Sequence, residues 1–392
     1  RDRHVGGHHL PKFHDMHFRW LSIPTFVVWT TVFCRNVPVQ EDGDVCSNDV
    51  GETSILQIQN GSNFASMLLH AKEVCVKGTS DCWKSLSMYR TQMWHKVMAD
   101  KPQWMPRAVF NHHDDAIAEV VCRGGKELVL FYRHIFKAAG HGVFANLKKI
   151  GKNVSISVNS PEICSSFDLG NPNHVHFTFA REPISRFIAA YAEIEHRIDI
   201  DEPWLVYKKM KLILGNHSRG SFKRAEAFFS EFLKSGIFGD GHVKPQAEYL
   251  GHIKECDISM HFIGAVENMS ADWSRMFEHY NCQQDAYDGH EGLHPNDEQD
   301  KKALANAINT SSVHSFMDTQ ASVDIAAQRL KDMAVASMET MLQSQPKFLL
   351  FLCWIYLPDF VIFDYDLPAA CTADETLAAI VQQTKKCPKV TC

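Results

Sequence analysis

A buried strand that leads directly into a loop of small residues is the feature that most constrains the fold of this chain. Leu128 to Tyr132 (LVLFY) is a continuous apolar run, typical of a strand covered on both faces. The next ten residues, 133–142 (RHIFKAAGHG), include four alanines and glycines and one lysine. Apolar residues then recur at helical spacing, at Val143, Phe144, Leu147 and Ile150. The pattern predicts a strand, a loop and a helix in succession, as in α/β sheets.

The loop between this strand and this helix has the features of an anion site. Backbone N–H groups and the positive end of a helix dipole attract anions at such a position. Small side chains allow close approach of the backbone, and Lys137 adds a mobile positive charge. The loop is not a Walker A motif, because its lysine precedes the glycine. The candidate binding residues are Lys137, Ala138, Ala139, Gly140, His141 and Gly142, although an ordinary strand-to-helix turn remains an alternative for this loop alone.

A second strand and helix follow about forty residues later. His176 to Arg181 (HFTFAR) is strand-like, and residues 181–195 (REPISRFIAAYAEIE) have helical spacing with Pro183 suited to the first turn. Arg181 is therefore expected at the carboxyl end of a strand, where open parallel sheets bind ligands. Arg186 lies one turn into the helix, and the sequence leaves open whether it contacts a ligand or forms an ordinary ion pair.

These two segments carry a family resemblance. HIFKAAG (134–140) and FTFAREPISRFIAAY (177–191) resemble the two cofactor loops of the Golgi membrane-bound carbohydrate sulfotransferases. Three further stretches resemble segments of that family in consistent order: 242–250 (HVKPQAEYL), 262–273 (FIGAVENMSADW) and 353–368 (CWIYLPDFVIFDYDLP). The resemblance implies an α/β fold, with a P-loop-like central parallel sheet flanked by helices and extra helices at both ends. It covers residues 127–368, the expected sulfotransferase domain.

The resemblance also implies a reaction. A sulfuryl group would pass from 3'-phosphoadenosine 5'-phosphosulfate (PAPS) to a glycan hydroxyl by in-line displacement, with no metal required. Lys137 and residues 138–142 would bind the 5'-phosphosulfate, and Lys137 would stabilise charge on the leaving oxygen. Arg181, together with Arg186, would bind the nucleotide, with the planar fork of Arg181 on the 3'-phosphate.

A general base must accept the proton of the acceptor hydroxyl. His242 is the first candidate, because the pKa of histidine suits proton transfer near neutrality and because its motif lies within the resembling region. A core or surface role remains open for this histidine. Glu193, Glu195 and His196 follow the second cofactor loop and are alternatives for the same site.

Two positions depart from the family pattern. His141 stands where the family usually has Thr or Ser, and Ala189 stands where it usually has a Ser that contacts the 3'-phosphate. Each lost hydrogen bond to a charged group is worth about 1.5–3 kcal/mol. A catalytically weak or inactive relative that binds glycans is therefore the alternative function. A nucleotide kinase is disfavoured because the Walker lysine spacing is missing.

The N-terminal region has the residue pattern of a membrane-targeting segment. Basic residues precede an apolar run from Trp20 to Cys34, which predicts a cytoplasmic tail at 1–17 and a signal anchor at 18–35. The run is short and contains Pro24, so a signal peptide and a buried core segment remain alternatives. With five N-x-S/T sequons, the expected protein is a single-pass type II protein of the Golgi membrane with a lumenal catalytic domain.

The sequence also supports expectations for the remaining segments, the charge balance and the cysteines. Residues 36–126 are interpreted as a stem with a helical segment, because apolar residues recur at helical spacing in 64–76 and 85–98. The same spacing at 222–233 and 323–342 predicts two packing helices, and residues 369–392 are interpreted as a C-terminal tail. Forty basic against 46 acidic residues argue against a general polyanion or nucleic-acid binder. The 12 cysteines include no CxxC pair, so the spacing gives no support for a zinc site, and their disulfide pairing stays open.

Overall fold

The computed structural model describes residues 55–77, 115–158, 160–168, 170–199, 205–235, 240–250, 259–282 and 320–386, with a few residues between 81 and 93. The expected cytoplasmic tail and signal anchor lie outside these residues. Within the described segments, none of the helices has the length and apolarity that crossing a bilayer requires.

A five-stranded mixed sheet forms the centre of the region that contains both predicted loops. Its strands are β1 (Asp115–Val121), β2 (Glu127–Tyr132), β3 (Gly151–Val158), β4 (His174–Ala180) and β5 (Phe262–Ala265), in the order β3-β1-β2-β4-β5. The pairs β2–β4 and β4–β5 are parallel, whereas β1 is antiparallel to β2 and β3. The α/β class is confirmed. The sheet is not wholly parallel, because β1 and β2 are joined by a turn at 122–126, which is too short for a parallel crossover.

Thirteen α-helices lie in the described part of the chain. They are α1 (Ile55–Val76), α2 (Gly140–Ile150), α3 (Ser160–Ser166), α4 (Pro183–Asp199), α5 (Leu205–Leu214), α6 (Phe222–Ser235), α7 (Ala247–Leu250), α8 (Met269–His279), α9 (Gln320–Ser344), α10 (Pro346–Ile355), α11 (Leu357–Ile362), α12 (Ala369–Thr372) and α13 (Glu375–Lys386). Short 3₁₀ turns precede α7 and α8, at Gly241–Val243 and Val266–Asn268.

Apolar side chains of β2 and β4 are buried because helices cover the sheet. Phe177 and Phe179 of β4 pack in one cluster with Val143 and Leu147 of α2 and with Trp273 of α8. This cluster fixes α2 directly after the loop that contains the lysine. The predicted strand–loop–helix unit is thereby confirmed.

A second and larger core is made by helices alone. Phe187 and Tyr191 of α4 are fully buried in it, together with Phe228 and Phe232 of α6 and Met338 of α9. Both packing helices expected from the sequence, at 222–233 and 323–342, are confirmed by α6 and α9. Because α4 contributes to this core, the residues on its remaining face are held at a fixed position beside the sheet.

The compact fold extends beyond residues 127–368 at both ends. β1 lies in the segment interpreted as a stem, yet it pairs with β2 and β3 and is part of the sheet. The helix expected near residues 64–76 is confirmed as the second half of α1. In the C-terminal segment, Leu377 and Ile380 of α13 are buried in the helical core, so this part is not a free tail.

Three disulfides join described residues. Cys122 at the end of β1 is bonded to Cys282 after α8, Cys75 to Cys82, and Cys353 to Cys371. The pairing of Cys371, which the sequence left open, is therefore to α10; Cys387 and Cys392 lie outside the described residues. Structural disulfides are typical of proteins that fold in an oxidising compartment.

Removing the Cys122–Cys282 bond should destabilise the fold more than removing the Cys75–Cys82 bond. The first closes a loop of 160 residues and the second a loop of 7. Loop-closure entropy then predicts losses of about 5 and about 2 kcal/mol, respectively. Urea denaturation of the two double-alanine variants measures both free energies of unfolding. An equal or larger loss for the Cys75/Cys82 variant would contradict the assignment of Cys122–Cys282 as the main covalent constraint.

Candidate active site

The parallel pairing of β2 with β4 brings both predicted loops to one edge of the sheet. Beyond the end of β2, Arg133 N donates to Phe177 O at 2.8 Å. The buried Thr178 hydroxyl donates back to Arg133 O at 2.7 Å. The lysine loop (residues 133–142) and the start of α4 therefore leave neighbouring strands side by side, at the carboxyl edge where ligands bind in α/β sheets.

The lysine loop has a strained backbone that its small residues make possible. Lys137 and Ala139 have φ of 64° and 56°, in the left-handed region. Gly140 opens α2 directly over His134, and a β-carbon there would lie 2.1 Å from His134 Nε2. Buried His134 thus packs against the start of α2 and supports the loop.

Lys137 points to α4 and is paired with an acidic residue there. Its Nζ lies 2.7 Å from Glu193 Oε2. Two further cations share this carboxylate, because Arg197 Nε lies 3.0 Å from Oε1 and Lys331 Nζ of α9 lies 3.6 Å from Oε2. We call these four residues the counter-ion cluster.

The electrostatics of the counter-ion cluster keep its carboxylate ionised. Burial would raise the pKa of Glu193, but nearby positive charge outweighs that effect and holds the pKa well below its usual range. The basic groups responsible are Lys137, Lys331, His242 and Arg197. Desolvation lowers the pKa of the Lys137 ammonium, and the Glu193 carboxylate opposes that decrease. At neutral pH the expected state is therefore one carboxylate among several cations.

Arg181 is held through its backbone, which leaves its side chain available. Arg181 N donates to Gln246 Oε1 at 2.9 Å, and Gln246 Nε2 donates to Arg181 O at 2.7 Å. The side chain is partly exposed, and within the described residues its guanidinium forms no ion pair or hydrogen bond. Arg181 thus presents an uncompensated planar cation beside the start of α4.

The Gln246 side chain, which holds the backbone of Arg181, depends for its position on a buried carboxylate of α11. Asp359 accepts hydrogen bonds from Gln246 N and Ala247 N, each at 2.8 Å. Burial raises the pKa of Asp359 to about 6, against the opposing effects of Arg186 and of these two N–H groups. The stretch 242–250 and the closing stretch 353–368, both quoted for the resemblance, therefore meet here to orient Gln246.

Arg186 lies inside the protein and contacts backbone carbonyls. Its side chain is fully buried, Nε donates to Phe136 O at 2.8 Å, and Nη2 donates to Gly241 O at 3.3 Å. These contacts join α4 to the lysine loop and to the turn at 241–243. In this structure Arg186 positions the site, whereas the surface of the site is formed by Lys137 and Arg181.

His242 lies next to the lysine loop and is oriented by a carboxylate. Its Nδ1 lies 2.6 Å from Asp240 Oδ1, and its ring stacks on Phe136 with centroids 4.9 Å apart. Burial would raise the pKa of Asp240, but the charge and hydrogen bonds of His242 lower it. Only 6% of His242 is exposed, so it lies at the floor of the site rather than on the open surface.

The alternative bases occupy three different environments. Glu193 is the partner of Lys137. Glu195 forms a buried ion pair with Arg224 at 2.6 Å and is thereby a structural residue. His196 lines a pocket between α4 and α9 together with Arg219 and Lys331. Among the described side chains, no group of three or more His, Cys, Asp or Glu is arranged to hold a metal ion.

One row of α4 connects the two loops. Arg181 precedes α4, and Ser185, Ala189, Glu193 and Arg197 follow it at intervals of four, so that neighbours in the series lie about one turn apart; all are partly exposed. The row begins at the arginine, passes Ala189 and reaches the partner of Lys137. This part of α4 therefore lies between the two proposed anion-binding groups.

The sequence interpretation missed several residues that position the site. Asp240, Gln246 and Asp359 act through backbone groups or through His242, and none of them stands out by type alone. Gln246 and Asp359 lie within the stretches that carry the resemblance.

Comparison with known proteins agrees with this arrangement. A family model described as "Sulfotransferase family" matches residues 125–366, which is more than half of the chain and includes both loops, the His242 stretch and α11. No curated protein and no solved structure gave a significant match. On the strength of the family match, this chain belongs to the sulfotransferase family.

Proposed function

We propose that this protein transfers a sulfuryl group from PAPS to a hydroxyl of a glycan by in-line displacement. Membership of the sulfotransferase family supports sulfuryl transfer in general. The observation that carries the specific proposal is the pairing of β2 with β4, which sets Lys137 and Arg181 on loops at the same edge of the sheet. The part of α4 between Arg181 and Glu193, the partner of Lys137, supplies a partly exposed surface along which a nucleotide with an anion at each end can lie.

The two basic residues have different roles in this proposal. Lys137 and the N–H groups of residues 138–142 bind the 5'-phosphosulfate, and Lys137 stabilises the charge that develops on the leaving phosphate oxygen. Arg181 binds the 3'-phosphate through its planar fork. Because sulfuryl transfer needs little covalent participation by the protein, holding donor and acceptor in line provides much of the rate acceleration.

His242 is the proposed general base. Asp240 holds ring Nδ1, which fixes the orientation of the imidazole and leaves Nε2 to accept the acceptor proton. Contact of the ring with Phe136 places His242 directly beside the lysine loop. His196, which lines the pocket beside Lys331, is the competing candidate.

We extend the proposal to the location of the enzyme and to its acceptor. The disulfides are compatible with a lumenal, oxidising compartment. The resemblance supports a type II protein of the Golgi membrane with a signal anchor at 18–35 and a glycan acceptor. A second candidate function, a catalytically weak glycan-binding relative, is favoured by His141 and Ala189, which replace two hydroxyl side chains of the family.

Lys137→Ala and Arg181→Ala should each weaken binding of 3',5'-adenosine bisphosphate. Each change removes charge-assisted hydrogen bonds worth about 1.5–3 kcal/mol, so the Kd measured by calorimetry should rise at least about tenfold. Lys347→Ala and Arg275→Ala remove cations from α10 and α8 and serve as matched controls with unchanged Kd. Unaltered affinity in both site variants would contradict the donor assignment.

His242→Ala should reduce kcat by about 10²–10⁴ because the general base is lost, with the Kd for the bisphosphate changed only a few-fold. Asp240→Asn should reduce kcat less, because the imidazole loses its orienting carboxylate but stays in place. Turnover with labelled PAPS across a panel of glycans measures kcat. If His196→Ala loses turnover while His242→Ala retains it, the base has been assigned to the wrong histidine.

Ala189→Ser should strengthen donor binding. The new hydroxyl stands eight residues after Arg181, on the exposed row of α4, where it can donate to the 3'-phosphate. A hydrogen bond to a charged group predicts a Kd for the bisphosphate that is about tenfold lower. Ala189→Val adds bulk without a donor and should weaken binding. A serine variant that binds no better than the valine variant would place the 3'-phosphate elsewhere.

A further inference from the structure

We infer that Glu193 is an internal counter-ion, which occupies the anion position at Lys137 in the unloaded enzyme and is transferred to Arg197 and Lys331 when the donor binds. This inference rests on the proposed function, because it concerns the same donor site. It assigns to Glu193 a positioning role in place of the catalytic role that the sequence left open.

The first observation is the pairing of Lys137 itself. Its ammonium, which is proposed to bind the sulfate end of PAPS, lies 2.7 Å from Glu193 Oε2, at hydrogen-bonding distance. Only 22% of the lysine side chain and 12% of the glutamate side chain are exposed. The Lys137 ammonium has three N–H donors, but a phosphate or sulfonate that approaches it is repelled by the negative charge of the Glu193 carboxylate. We therefore expect donor binding at Lys137 to displace Glu193.

The second observation is that the displaced carboxylate already has other partners. Arg197 Nε donates to Oε1, the oxygen that does not contact Lys137. Lys331 Nζ lies 3.6 Å from Oε2 and approaches from another helix, α9. A rotation of the Glu193 side chain can thus exchange Lys137 for Lys331 without a movement of the backbone. The carboxylate keeps cationic neighbours throughout, which avoids leaving a partly buried charge unpaired.

The counter-ion has a consequence for ligand selectivity. An anion that contacts only Lys137 takes the place of the Glu193 carboxylate, so its net gain in binding free energy is small. A nucleotide that also contacts the N–H groups of the loop and Arg181 gains additional bonds, which offset the loss of the Glu193 contact. Glu193 therefore favours the complete nucleotide over small inorganic anions such as sulfate.

Glu193→Gln tests this inference, because the amide has the same shape and no charge. Binding of 3',5'-adenosine bisphosphate to the full chain is measured by calorimetry, and its Kd should fall about tenfold, the size of one charge-assisted hydrogen bond. Inorganic sulfate should also bind measurably better than to the unmodified protein. Glu231→Gln is the matched control, since Glu231 pairs with Lys209 and does not belong to the counter-ion cluster. An equal gain in affinity in this control would show that the effect comes from the change in net charge alone, and it would overturn the inference.

A double-mutant comparison separates transfer of the carboxylate from simple attraction of anions. Replacing Arg197 and Lys331 by alanine removes the receiving partners of Glu193. Donor binding should weaken clearly more in the protein with Glu193 than in the Glu193→Gln background, where no carboxylate needs a new partner. Equal weakening in both backgrounds would mean that the two cations only attract the donor, and the transfer would be refuted.

Failure of this inference and failure of the proposed function have different signatures. Bisphosphate binding that depends on Lys137 and is unchanged by Glu193→Gln refutes the counter-ion role and leaves the donor site intact. Absence of binding in both the unmodified protein and Glu193→Gln refutes the donor site and the inference together. Binding that becomes detectable only in Glu193→Gln supports both.

Discussion

The guanidinium of Arg186 is the buried contact on which the geometry of the site depends. It is fully buried and bonds the carbonyls of Phe136 and Gly241, so it ties the lysine loop and the His242 turn to the helix that follows Arg181. A buried charge is tolerated only when polar partners compensate for its lost hydration. Asp359, whose charge interacts with Arg186, also positions Gln246, which holds the backbone of Arg181. One cation thereby links the positions of the lysine, the arginine and the histidine.

The two basic residues of the site, Lys137 and Arg181, differ in whether an acidic residue is paired with them. Lys137 is paired with Glu193, whereas the guanidinium of Arg181 has no ion-pair partner among the described residues. Positions 141 and 189 carry His and Ala, where the resemblance implies hydroxyl side chains. We therefore expect charge, rather than neutral hydrogen bonds, to supply most of the affinity for the donor, and expect that affinity to decrease with salt.

Elements whose own residues determine their structure were predictable from the sequence. The apolar runs of β2 and β4 and the helical spacing of α2, α4, α6 and α9 identified them before the structure, because both faces or one face of each is buried. The carboxyl-edge position of both loops followed from the same pattern. Within the candidate site, Lys137, Arg181 and His242 were singled out by their motifs; their roles in the reaction stay predictions.

Features that depend on contacts between distant segments were not predictable in the same way. The pairing of Lys137 with Glu193 joins residues 56 positions apart and depends on how α4 rotates against the loop. The inward orientation of Arg186 and the Cys122–Cys282 bond likewise depend on packing that no local pattern encodes. β1 was missed because acidic residues interrupt its apolar pattern (DAIAEVV) and because it lies within the segment interpreted as a stem.

The most direct test of the account is a crystal structure of the protein with 3',5'-adenosine bisphosphate bound. The account predicts one nucleotide along α4, with its 5'-phosphate at Lys137 and the lysine-loop N–H groups, its 3'-phosphate at Arg181, and Glu193 turned towards Lys331. A nucleotide that contacts only one of the two basic residues, or that binds away from the carboxyl edge of β2 and β4, would contradict the central claim.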